Sequence, residues 1–234
     1  MNFINKIKKL FLKESLDYEE KLLKKYSSVD DFKGNIKILF ISDTHGDLSL
    51  NKKLQNKILK AKFDICCILG DIHDYDYEFI LNNISKENIV ALLGNHDRKT
   101  LIDEKGVKNL NGNIININGI KIGGIQGCHT YKEEFCPSFT HEESIGFLDR
   151  LDKVDILISH DKPFTYDYKD NVHDGLKGIT YYLYKNNVPY NVHGHLHNTD
   201  LLILKNGSKS IGIYGCEVLS FNSNGCLREN GDKV

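Results

Sequence analysis

Three histidines fall within five positions of the stretch NVHGHLHNT, residues 191–199: His193, His195 and His197. The whole chain has ten histidines, so this crowding asks for a chemical reason. Alternation along an extended chain would send all three to one side, and imidazole is the commonest protein ligand for metals. Four more short groups carry related residues: SDTHGD (42–47), GDIHD (70–74), GNHD (94–97) and HDKP (160–163). Pooled, the candidates are Asp43, His45, Asp71, Asn95, His96, His160, His195 and His197. Carboxylate, imidazole and one amide oxygen suit Mn²⁺, Fe or Zn²⁺ rather than Ca²⁺, which prefers an all-oxygen shell. Such a set exceeds what one tetrahedral ion takes and fits two ions sharing a carboxylate. A pair of ions ~3.5–4 Å apart activates water and clamps a phosphoryl group. Two divalent ions outweigh the charge of two aspartates, leaving a positive field that attracts phosphate.

Each polar group directly follows a short apolar run that predicts a buried strand: IKILFI (36–41), ICCIL (65–69), NIVALL (88–93), DILIS (155–159) and YNVH (190–193). Helical patterns separate the first three. One covers 48–62, with Leu48, Leu50, Leu54, Ile58 and Leu59 at helical spacing, and another covers 75–84. Strand, helix and strand in this order imply parallel pairing with right-handed crossovers. Sites in open α/β sheets form outside the carboxyl ends of the strands, so the five groups should converge on one edge. Asn118-Gly119 predicts a hairpin within 114–125, and Asn206-Gly207 predicts another within 201–215. Further helices are expected over 141–151 and 176–187, and the tail from Asn222 reads as polar and frayed. The expected organisation is an N-terminal amphipathic helix and linker (1–34), one domain (35–221) and a C-terminal tail (222–234).

Composition narrows the function classes. The length of 234 residues suits one well-cored domain, with 40% hydrophobic and 27% charged residues. A net charge of −1 excludes a global basic field, so no long nucleic-acid track is expected. The six cysteines form no CxxC, and Cys66 and Cys67 sit in an apolar run as small hydrophobes, so a reducing cytoplasm is the expected home. No stretch approaches the ~20 apolar residues of a membrane span, and the longest apolar run near the N-terminus, LFL, is too short for a signal peptide. Phe3, Ile4, Ile7, Leu10 and Phe11 form a stripe flanked by Lys6, Lys8, Lys9 and Lys13. That pattern reads as a helix docked on its own domain, with peripheral membrane or partner contact through residues 1–13 as the alternative.

The motif order D-x-H, G-D-x-x-D, G-N-H-D, H and G-H-x-H resembles the calcineurin-like metallophosphoesterase superfamily, from residue 36 to about 218. The resemblance implies an α/β class fold, a four-layer α/β/β/α sandwich with two mixed sheets. It implies that Asp43, His45 and His197 hold one metal, that Asn95, His160 and His195 hold the other, and that Asp71 bridges them. His96 would be the catalytic histidine that protonates the leaving oxygen, with a metal-bridging hydroxide as nucleophile. The implied cofactors are two divalent ions, Mn²⁺ first and Fe, Zn²⁺ or Ni²⁺ as alternatives. His73, His173 and Arg98 are candidate substrate contacts, His193 a residue that orients ligands, Asp74 structural, and His129 a rim residue. GDIHD and GNHD depart from the G-D-x-V-D-R-G and G-N-H-E of phosphoprotein phosphatases. The expectation is therefore a phosphodiesterase acting on a small or nucleotide-like phosphoester. A phosphomonoesterase or protein phosphatase of the same fold is the alternative, and a metal-binding interaction scaffold is the alternative of a different class.

Overall fold

Five strands carry the polar groups: β1 (Ile36–Ser42), β2 (Ile65–Ile68), β3 (Ile89–Ala91), β9 (Ile156–Ser159) and β10 (Tyr190–His193). They belong to two sheets rather than one, in a computed structural model that describes residues 17–130, 136–165 and 173–228. Nine further strands complete the sheets: β4 (Lys108–Asn109), β5 (Ile114–Ile117), β6 (Ile120–Ile125), β7 (Cys128–His129), β8 (Ser138–Phe139), β11 (Leu201–Ile203), β12 (Lys209–Gly212), β13 (Gly215–Asn222) and β14 (Gly225–Arg228). One sheet has the order β14-β13-β1-β2-β3-β4, the other β11-β12-β10-β9-β6-β5, and β7 pairs with β8 separately. β1, β2, β3 and β4 run parallel, with Ile38 opposite Ile65 and Cys66 opposite Ile89. β6, β9, β10 and β12 also run parallel, whereas β13, β14, β5 and β11 pair antiparallel to their neighbours. Both sheets are thus mixed.

The side-chain period of two sorts each central strand between two cores. Ile36, Ile38 and Phe40 of β1 face Ile156 and Ile158 of β9 and Val192 of β10 in the core between the sheets. Leu39 and Ile41 turn the other way, onto α1 (Leu48–Lys60) and α2 (Asp74–Asn83) through Leu54, Ile58, Tyr77 and Ile80. Leu101 and Ile102 of α3 (Leu101–Lys105) join that outer core. On the far side, Ile125 and Leu157 pack against Leu148 of α4 (His141–Leu148) and Ile179 and Leu183 of α5 (Lys177–Lys185). The layers are therefore α/β/β/α. Strands buried on both faces need continuous apolar runs, which explains ICCI and ILIS.

Three expectations need adjustment. The apolar stripe of α1 does not reach the core along its whole length, since Leu48 is 78% and Leu59 65% exposed. Helices end earlier than expected at Leu148 and Lys185. The tail does not fray at Asn222, because β13 runs through that residue and β14 folds back on it, with Phe221 opposite Cys226 in the core between the sheets. At the other end, the stripe from Phe3 to Phe11 lies outside the described residues. Residues 17–23 are helical, and Leu22 packs into the core of α4 and α5. No helix among the described residues is long and apolar enough to cross a membrane.

Candidate metal centre

The two sheets bring their carboxyl ends together, so the loops after β1, β2 and β3 meet those after β9 and β10. Asp43 N–H donates to Gly70 O (3.1 Å), and Gly194 N–H donates to His160 O (3.0 Å), so backbone bonds tie each set of loops. The chain bends hard here. Among the described residues, seven non-glycine residues have positive φ, and five of them are Asp43, His45, Asp71, His195 and His197. Such backbone is disfavoured for residues with a Cβ and gathers where function requires it. Two glycines make the close approach available. A Cβ at Gly94 would overlap the Asp71 carboxylate, and one at Gly194 would overlap Ser42 Oγ and Asp43 Oδ2.

Each buried aspartate has one oxygen tied down and one presented. Asp43 Oδ2 accepts from Ser42 Oγ and from His195 N–H (2.8 Å), while its buried Oδ1 accepts no hydrogen bond. That oxygen lies 3.5 Å from His197 Nε2 and 3.9 Å from His45 Nε2, and the two imidazole nitrogens are 3.2 Å apart. Asp71 Oδ1 accepts from His96 N–H (2.8 Å). Its Oδ2 lies 3.5 Å from His160 Nε2 and 3.8 Å from His45 Nε2, between the two sets of imidazoles.

His160 is fully buried and sets the electrostatics. Its Nδ1 is 2.9 Å from Leu69 O, and its Nε2 is 2.9 Å from Asn95 Oδ1. Burial opposes its protonation most strongly, but the charge and contact of Asp71, together with the charges of Asp43 and Asp97, outweigh burial and raise the imidazole to about 10. Burial would likewise raise Asp71, yet His160 holds that carboxyl well below its usual range. Both nitrogens of His160 therefore face oxygens, a position that a proton fills and that a cation can fill in its place. Donation from Nδ1 to a carbonyl is the arrangement that fixes a ligating histidine's orientation.

The donor set fits divalent cations. Ligand atoms of Asp43, His45 and His197 lie within 4.8 Å of one another, as do those of Asp43, Asp71 and His160. The buried, unpartnered Asp43 Oδ1 is the strongest sign, because an isolated carboxylate oxygen is costly away from water. Nitrogen and carboxylate donors suit Mn²⁺, Fe or Zn²⁺ over Ca²⁺.

A model of the calcineurin-like phosphoesterase family matches residues 36–199. The chain belongs to that family. None of the curated proteins matches the sequence. Among solved structures, this calcineurin-like phosphoesterase is similar to the protein TT1561 of Thermus thermophilus, at 14% identity and a TM-score of 0.59, over 83% of this chain and 98% of that one. A dimetal phosphatase from Danio rerio aligns at 11% identity and a TM-score of 0.57, over 86% and 96%. The phosphopantetheinyl hydrolase of Mycobacterium tuberculosis aligns at 14% identity and a TM-score of 0.56, over 78% and 91%. These likenesses are of fold. The family acts on phosphate esters and typically binds two divalent metals, and this phosphoesterase has candidate ligand groups for them.

The remaining candidates of the phosphoesterase spread around this centre. Asn95 joins it through His160, and the His195 ring lies 5.1 Å, centroid to centroid, from that of His160, outside the two tight groups. The three histidines of NVHGHLHNT do not share a side. Extended backbone ends at His193, which is buried with Nδ1 3.0 Å from Gly194 O, and the chain turns at His195 and His197. His96 is exposed, its ring edge-on to His45 at 5.4 Å. His173 stands 5.1 Å from the His195 ring. His73 caps α2, its Nδ1 accepting from Tyr75 N–H. Arg98 reaches Asp74 (3.0 Å) and Glu104, and it lines the cavity beside His96 as half of a surface ion-pair cluster. His129 stacks on His141 at 4.1 Å. Sequence reasoning missed Asp97. Its Oδ2 accepts from both Asp71 N–H and Gly94 N–H, each at 2.8 Å, and so locks the second and third motifs together.

Proposed function

We propose that this phosphoesterase hydrolyses a small or nucleotide-like phosphodiester with two divalent metal ions. The observation that carries the reading is the pair of buried carboxylates, each presenting one oxygen to histidines from both sheets. In the proposed assignment, Asp43, His45 and His197 hold one ion, Asn95, His160 and His195 hold the other, and Asp71 serves both. Bound there, the ions supply Lewis acidity to the phosphoryl oxygens and lower the pKa of water, so that a hydroxide nucleophile is available at neutral pH.

The chain's own groups do the rest. Ser42 Oγ and the N–H groups of His195 and His96 hold the aspartates so that the inward oxygens keep their aim. His96 stands at the mouth of a cavity of about 290 Å³ that Asp71, His73 and Arg98 also line. From there it donates a proton to the departing alkoxide. The second motif, GDIHD, and Asp97 in place of glutamate favour a small diester over a phosphoprotein. The test is a Mn²⁺-supplemented panel of aryl diesters, aryl monoesters, cyclic nucleotides and a phosphopeptide. Diester turnover that stops on chelation is expected. Turnover confined to monoesters or phosphopeptide would overturn the diester reading.

A further inference from the structure

Of the three histidines in NVHGHLHNT, the metal assignment uses His195 and His197 and leaves His193 without a task. His193 is the last residue of β10 and is 2% exposed. Its partners in register are Ser159 on β9 and Gly212 on β12, small residues that leave space for a ring at the strand end. A buried polar ring is costly unless its polar atoms find partners. Nδ1 lies 3.0 Å from Gly194 O, and a carbonyl oxygen only accepts, so Nδ1 carries a proton and donates it. The ring itself is anchored in the sheet, since Ile213 N–H donates to His193 O (2.7 Å).

The carbonyl that His193 holds belongs to the peptide that delivers His195. Gly194 O also accepts from Leu196 N–H (2.9 Å), an i to i+2 bond that closes a turn centred on His195. His195 has φ 68°, which makes this the rare and strained form of γ-turn. On the other edge of the same peptide, His195 N–H donates to Asp43 Oδ2 (2.8 Å). The peptide is thus gripped at both edges with opposite polarity. Rotating it by half a turn would set its carbonyl against the Asp43 carboxylate and its N–H against that of Nδ1. Gly194 lacks the Cβ that would overlap Asp43 Oδ2, and its own N–H donates to His160 O (3.0 Å). The turn also decides where the His195 ring goes, because the direction of Cβ follows the backbone. Held as it is, the ring stands 5.1 Å from that of His160.

We infer that His193 is a positioning residue for His195: it holds the Gly194–His195 peptide in the strained turn that aims this ligand at the ion assigned also to His160 and Asn95. The inference rests on the proposed assignment of His195 as a ligand and extends it by a residue that acts only through backbone. The two bonds to Gly194 O divide the work. Leu196 N–H closes the turn and moves with it, whereas His193 donates from a fixed point in β10.

The test is calorimetric titration of the chelator-treated full chain with Mn²⁺, for the unaltered protein, His193→Leu, His193→Asn and His195→Ala. The unaltered protein should take two equivalents, and His195→Ala should lose one. Leucine and asparagine branch alike at Cγ, and only asparagine offers an N–H where Nδ1 stands. His193→Leu should therefore weaken one equivalent about 10–100-fold and spare the other, and His193→Asn should restore most of that loss. A residue that merely fills the core would show the reverse order, with leucine the better tolerated. If the leucine variant alone fails to fold, His193→Met takes its place, since methionine adapts to buried gaps and also lacks a donor. Full affinity for both ions without the donor overturns the inference, and a lost equivalent in His195→Ala then leaves the ligand assignment standing. Loss of both ions or of cooperative melting in every His193 variant overturns it too, because His193 would then serve the core alone. Two tight equivalents in His195→Ala would overturn the ligand assignment and the inference with it.

Discussion

His96 and Asn95 are neighbours in one turn, yet they point to different work. Asn95 is buried against His160, whereas His96 is exposed at the cavity mouth. His96→Asn should keep both metal equivalents and lower kcat on a nucleoside or alkyl diester by roughly 10²–10⁴-fold. A nitrophenyl diester, whose leaving group needs little protonation, should lose far less. Metal analysis beside rates on the two substrates decides it, since equal losses would remove the acid role and a lost metal equivalent would make His96 a ligand. Asp97 carries a prediction of a different kind. Its carboxylate takes the N–H groups of Asp71 and Gly94. Asp97→Ala should weaken Mn²⁺ binding about 10–100-fold while His96 and every ligand remain in place. Calorimetric titration with Mn²⁺ measures this, and unchanged affinity would contradict the positioning role. The candidate ligands stood out in the sequence because aspartate, asparagine and histidine recur there at strand ends. Asp97 did not, because accepting two backbone N–H groups leaves no trace in residue spacing.

At the scale of elements, α4 begins with a capping box between Thr140 and Glu143, and its first residue, His141, is wedged among its neighbours. The ring stacks on His129 of β7, meets Phe164 edge-on at 5.1 Å, and its Nδ1 faces Lys177 N–H of α5. Burial first, then the nearby His129 and Lys177, lower its pKa to about 4, with Glu142 and Asp161 opposing. The folded state thus resists a proton that the unfolded chain accepts near 6.5. Stability from this group is whole above pH 6.5 and drains away as pH falls towards 4. After allowance for solvent screening the loss is on the order of 1 kcal/mol. His141→Gln should flatten that part of a melting-temperature profile, and an unchanged slope would count against it. Among elements, the central strands were legible because burial on both faces demands unbroken apolar runs. β4, β7 and β8 were not, since two residues make no period. Leu48 misled for a physical reason: helical spacing marks an apolar face without saying whether protein or ligand covers it.

The whole molecule is closed at one corner by its N-terminal segment. Tyr18 Oη donates to Lys177 O (3.1 Å), Tyr184 Oη donates to the buried Glu19 (2.6 Å), and Leu22 enters the core of α4 and α5. Leu22→Ala should destabilise the fold by about 2–3 kcal/mol and leave Mn²⁺ stoichiometry intact. Thermal melts with and without metal would show it, and an unshifted melt would mean that the segment is dispensable. The two mixed sheets were legible through the motif order and the family it resembles, whereas the order of strands within each sheet was not, because apolar runs identify strands but not their partners. The left-handed backbone at Asp43, His45, Asp71, His195 and His197 has a consequence for how such a chain can change. Each position costs about 1 kcal/mol that glycine would largely recover. A library screened only for heat resistance in the presence of a chelator should therefore drift towards glycine and asparagine at these sites and discard the donors. The same library screened in Mn²⁺ should retain them, because an ion held more tightly by the native state than by the unfolded chain would reverse the sign of selection.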